Sequence, residues 1–178
     1  MVLLIVDTQN SVVNAGIYAL DTFVKHVQTL IAEARHKQIE VIYVCHEDED
    51  LIRGTEGYEI YEAFKPLATE KIFYKKVNSA FSECGLKEYL QSKNEKEIII
   101  CGLDTDYCID ATIKCGFEHG FHMIVPAYAN STVDNRFMTG EQSYAYYNEH
   151  MWPRRYAECI SLEETFQKMN DYVASTNH

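Results

Sequence analysis

The chain has 178 residues, 47% of them hydrophobic and 24% charged, which suits one soluble domain (1–178) with room for a sizeable core. A net charge of −11 repels nucleic acid and anionic membrane alike, so neither is expected as a partner and a small-molecule substrate fits better. The opening "MVLLIVDTQN" has no basic flank and does not read as a signal peptide, and no apolar run has the length of a membrane span.

Short apolar runs alternate with helical patterns along the chain. "VLLIVD" (2–7) is a continuous apolar strand stopped by Asp7. Residues 20–38 then place Phe23, Val27, Leu30, Ile31 and Ala34 on one helix face. "EVIYVCH" (40–46) is β-branched and aromatic, hence a strand, and the acidic stretch 47–57 with Gly54 and Gly57 is a loop. A third strand is predicted over 71–76, a short helix over 84–92 and a doubly buried strand over 96–102. A helix over 106–119 ends at Gly120, and a strand over 121–126 ends at Pro126. A tyrosine-rich helical segment (139–150), a last strand (156–161) and a helix opened by a Ser161/Glu164 capping box complete the chain. This alternation predicts an α/β doubly wound fold with a mostly parallel sheet of roughly six strands.

In such a sheet, ligands bind beyond the carboxyl ends of the strands, where the strand order reverses. Three strand ends carry chemistry. Asp7 ends the first strand as a partly desolvated carboxylate, or else as a turn-capping aspartate. Lys75 and Lys76 end the third and point to opposite faces, so at most one faces the site, and a lysine there is commonly solvated. "GLDTDYCID" follows the fourth. If Thr105 caps the helix, Cys108 lies in its first turn, where the dipole and free N–H groups lower a thiol pKa and Asp106 opposes that. The six cysteines show no CxxC or zinc-like spacing and read as free thiols in a reducing cytoplasm, with Cys45, Cys101, Cys115 and Cys159 as inert buried thiols. A carboxylate, an ammonium and a thiol at three strand ends turn the reading of Cys108 toward nucleophile.

The stretches "LLIVDTQN", "KKVNSAF" followed by "LKEYL", and "IIICGLDTDYCIDAT", with "GFHMIVPAYANSTVD" downstream, resemble the isochorismatase-like cysteine hydrolases. That superfamily includes nicotinamidases and N-carbamoylsarcosine, ureidoacrylate and streptothricin hydrolases. The resemblance implies a Rossmann-like three-layer α/β/α sandwich and a catalytic triad of Asp7, Lys75 and Cys108. Lys75 is preferred to Lys76 because it stands four residues before Ser79. It also implies a non-proline cis peptide between Leu103 and Asp104, an oxyanion hole of the Asp104 and Cys108 backbone N–H groups, and a homo-oligomer. The implied reaction is hydrolysis of an amide, ureido or lactam C–N bond through a thioester, with no cofactor.

The sequence departs from the nicotinamidase pattern. Those enzymes hold a metal with an Asp-x-His…His set after the second strand, whereas "CHEDEDLIRGTEGYEIY" offers only His46 among acids, so no metal is expected. Other readings are a nicotinamidase, an isochorismatase-type hydrolase, a ligand-binding member without chemistry, and a thiol redox protein. The last lacks a resolving cysteine near Cys108. Tyr58, Tyr61, Tyr144, Tyr146, Tyr147 and Trp152 line an aromatic pocket or, by preference, pack a subunit interface.

Overall fold

The computed structural model describes residues 1–176. Its strands are β1 (Val2–Val6), β2 (Glu40–His46), β3 (Lys71–Lys75), β4 (Glu97–Leu103), β5 (His122–Pro126), β6 (Asn130–Ser131) and β7 (Glu158–Ile160). The helices are α1 (Asn10–Val13), α2 (Leu20–His36), α3 (Leu86–Ser92), α4 (Asp110–Glu118), α5 (Gly140–Ala145) and α6 (Leu162–Thr176). The sheet has seven strands, in the order β3-β2-β1-β4-β5-β7, with β6 paired to the end of β4. All of these strand pairings are parallel.

The sheet is the mostly parallel one expected, with one short strand added to the roughly six. β6 has only two residues, Asn130 and Ser131, which take up the edge of Gly102 and Leu103 where β5 has stopped pairing. A polar pair of this kind carries no apolar run, so it has no strand signature in the sequence.

Continuous apolar runs form doubly buried strands because each face meets helices. Leu3 and Ile5 of β1 join a core with Phe23, Val27 and Leu30 of α2 and Met169 of α6. Val2, Leu4 and Val6, pointing the other way, pack with Leu86 and Leu90 of α3 and Ile113 of α4. The result is a three-layer sandwich. Each such apolar side chain, fully buried, contributes roughly 1.5–3 kcal/mol.

The chain runs outward from β1 through β2 to β3, then returns to lay β4 on the other side of β1. The strand order therefore reverses between β1 and β4, and a crevice opens beyond their carboxyl ends. Gly102 permits the close approach there. It pairs with Val6, has φ of +132°, and a Cβ on it would lie 1.9 Å from the Val6 carbonyl oxygen.

The predicted helix over 106–119 divides in two. Residues Thr105–Ile109 form a π-helical turn, and regular α-helix begins at Asp110. The tyrosine-rich segment divides likewise into α5 and a π-helical stretch, Tyr146–Met151. The Ser161/Glu164 capping box is formed: Ser161 N donates to Glu164 Oε2 (2.8 Å) and Glu164 N to Ser161 Oγ (3.1 Å).

Trp152 is fully buried, and Tyr58 and Tyr144 are 6% and 7% exposed, so these three pack inside the chain and not at a subunit surface. Trp152 Nε1 donates to Asp110 Oδ1 (2.9 Å) and anchors the start of α4.

Candidate active site

Asp7 turns the chain out of β1 with φ of 52°, a left-handed conformation that aspartate tolerates better than most residues. It is 2% exposed, and its backbone N–H donates to Val44 O (2.8 Å). Its Oδ2 accepts from Lys75 Nζ at 2.6 Å, while Oδ1 is buried with no hydrogen-bond partner in the protein. Burial raises the Asp7 pKa above the usual carboxylate range, and Lys75 and the Cys108 thiol only partly offset it.

Lys75 is the last residue of β3, side by side with His46 of β2. Its side chain is completely buried, whereas Lys76, one residue beyond β3, is exposed beside a surface cavity that Glu47, Asp48 and Arg53 also line. The Lys75 ammonium meets three acceptors: Asp7 Oδ2 at 2.6 Å, His46 Nδ1 at 3.0 Å and Cys108 Sγ at 3.2 Å. Lysine has three N–H donors, so each has a partner.

Cys108 lies within the π-helical turn. Asp104 O accepts from both Tyr107 N and Ile109 N, each at 3.1 Å, and the second of these spans five residues. Thr105 does not cap the helix. Its hydroxyl donates instead to Asn130 Oδ1 (2.7 Å), and Asn130 is locked to Asn148 by reciprocal amide bonds of 2.9 and 3.0 Å. Asp106 is held by Thr132 Oγ1 (2.6 Å) and Asn135 Nδ2 (3.3 Å). The Leu103–Asp104 peptide is cis.

The expectation of a lowered thiol pKa does not hold. Burial, then the Asp7 carboxylate, push Cys108 up to about 12, against the opposing pull of Lys75. The free protein therefore carries a protonated Cys108 at neutral pH. Asp104, half-buried and near Asp106 and Asp7, is raised to about 7 chiefly by desolvation, and its buried Oδ1 has no partner in the protein.

A carboxylate, a buried ammonium and a thiol thus converge at the switch point of a parallel sheet. The isochorismatase domain family profile matches residues 1–161, nearly the whole chain. The chain belongs to the isochorismatase family.

Similar proteins agree in sequence or in fold. The uncharacterized isochorismatase family protein YddQ of Bacillus subtilis is 33% identical over 141 residues, covering 74% of this chain and 78% of that protein. A crystal structure of an isochorismatase family protein superposes with a TM-score of 0.85 at 25% identity, over 90% of this chain and 97% of that one. N-carbamoylsarcosine amidase from Thermoplasma acidophilum superposes with a TM-score of 0.74 at 19% identity, over 91% of this chain and 96% of that one. The chain is thus an isochorismatase-family hydrolase.

Within this isochorismatase-family site, His46 is the residue that the sequence, offering it only as a lone histidine unfit for a metal, left outside. Its side chain is 14% exposed and turned toward Lys75. Among the described residues, donor atoms of Asp7, His46 and Cys108 all lie within 4.8 Å of one another, a set suited in type to a soft divalent cation. The set does not fit a metal as it stands, because the Lys75 ammonium is bonded to all three residues and fills the cation's place. Asn130, Asn148 and Thr132 also went unassigned. They belong to β6, the residue after it and the π-helical stretch Tyr146–Met151, too far along the chain for local spacing to relate them to Cys108.

Proposed function

We propose that the protein hydrolyses a C–N bond of a small amide, ureido or lactam substrate through a thioester on Cys108. The observation that carries this reading is the fully buried Lys75 ammonium, within hydrogen-bond reach of both Asp7 and Cys108. The fold likeness to an amidase supports a C–N substrate.

Because burial keeps the thiol protonated, its proton passes to Asp7 as sulfur attacks the substrate carbonyl. A raised Asp7 pKa makes the carboxylate a better acceptor for that proton. Lys75 offsets the negative charge that moves between sulfur and carboxylate. The backbone N–H groups of Asp104 and Cys108 hold the oxyanion, a role in which one donor is typically worth roughly 2.7–4 kcal/mol. Asp7 then protonates the departing amine, leaving an acyl thioester. Asp7 next removes a proton from water as it attacks, and the acid and the thiol are released. The balance is one amide and one water giving one acid and one amine.

Release of ammonia or amine across a panel of primary amides, ureido compounds and lactams tests the reading. At least one class is turned over by the wild type, and turnover is lost in Cys108→Ser. Turnover survives exhaustive chelation, because Lys75 and not a metal fills the cation position. Loss of activity on chelation, restored by a stoichiometric metal, contradicts this account.

A further inference from the structure

The Lys75 ammonium is held by more than the two reacting groups. Its third acceptor, His46 Nδ1, must present a lone pair, because an ammonium can only donate. The imidazole is therefore neutral with its proton on Nε2, and that nitrogen faces Asp48 Oδ2 at 3.1 Å. Asp48 is itself fixed: its Oδ1 accepts from Asp50 N (2.9 Å) and Leu51 N (2.8 Å), leaving Oδ2 for His46. Hydrogen bonds from the Leu51 and Asp50 N–H groups, with that from His46 Nε2–H, hold Asp48 below the usual carboxylate range. The His46 backbone is pinned as well. Gln9, fully buried, donates its Nε2 to His46 O and accepts from His46 N with its Oε1, both at 2.9 Å.

We propose that His46 is a positioning residue: its uncharged Nδ1 takes the third proton of the Lys75 ammonium and keeps that cation aimed at Asp7 and Cys108. The chain of contacts runs from the 48–51 turn through Asp48 and His46 to Lys75. It acts on the reaction only through Lys75, so the inference rests on the reading of Lys75 as the cation of the mechanism. Without His46, one donor of a completely buried ammonium loses its partner and the ammonium turns away from sulfur to find another. This deepens the site by one residue, on which no part of the catalytic proton transfer falls.

Three variants separate an acceptor from a filler of space. Asparagine places its carbonyl oxygen where Nδ1 was, glutamine places it near Nε2 and out of reach, and leucine offers no acceptor. His46→Leu and His46→Gln should lower kcat at least about tenfold, while KM moves less than about twofold because His46 does not touch substrate. Iodoacetamide should alkylate Cys108 more slowly in both, since the ammonium no longer favours thiolate. His46→Asn should restore both rates to within about fivefold of wild type. Leu and Gln variants with wild-type kcat, or an Asn variant as impaired as the Gln one, would overturn the proposal. The Asn and Gln pair decides the matter even where the Leu variant does not fold. Lys75→Met in parallel distinguishes the two levels. Activity retained in Lys75→Met removes lysine from the mechanism, whereas an inactive Lys75→Met with unimpaired His46 variants removes only the role of His46.

Discussion

Cys108 lies against two charges of opposite sign, and burial decides the proton state they leave it in. Lys75 at 3.2 Å favours the thiolate, but desolvation and the Asp7 carboxylate outweigh it. The free thiol should thus react with iodoacetamide at a rate that climbs from about pH 7 to pH 10 without levelling, because thiolate is the reacting form. In denaturant the same peptide should level near the ordinary thiol range. Alkylation of native Cys108 that plateaus below about pH 8 would contradict the assignment and restore the lowered pKa that a helix first turn implies. At this scale strand ends pointed to Asp7, Lys75 or Lys76, and Cys108 as candidates, and only the family resemblance, through the spacing to Ser79, singled out Lys75. His46 was not legible, since its sequence neighbours Glu47 and Asp48 suggest solvent and only the β2–β3 register turns it to Lys75.

Elements bring these groups together through the β1–β4 contact. Val6 and Gly102 are paired, and a side chain at 102 would run into the Val6 backbone at 1.9 Å while φ stays at +132°. Gly102→Ala should therefore cost at least about 3 kcal/mol in urea unfolding, and the folded fraction should lose turnover as Asp7 moves from the turn carrying Cys108. A loss below about 0.5 kcal/mol would show that the two strands can part without consequence. The long elements were readable: β1 as one apolar run, α2 from Phe23, Val27, Leu30, Ile31 and Ala34. The π-helical turn was not. It depends on Asn130 taking the Thr105 hydroxyl across 25 residues, a tertiary contact that overrides the capping preference of threonine.

Over the whole molecule, two apolar cores on opposite faces of one parallel sheet leave the polar groups to its carboxyl edge. Alternating strands and helices made that architecture legible. The fate of the aromatic residues was not, because Trp152 and Tyr144 are as apolar in sequence whether they fill a core or meet a second subunit. The architecture places a thiol, a carboxylate and an ammonium at the switch point, and in the proposed reaction this thiol forms a bond to carbon. Rapid acid quench of wild-type protein with a turned-over amide, followed by mass spectrometry of the Cys108 peptide, tests that directly. An acyl adduct on Cys108 should form as amine is released, decay to free acid, and be absent from Cys108→Ser. Turnover with an unmodified Cys108 peptide, persisting in Cys108→Ser, would contradict it.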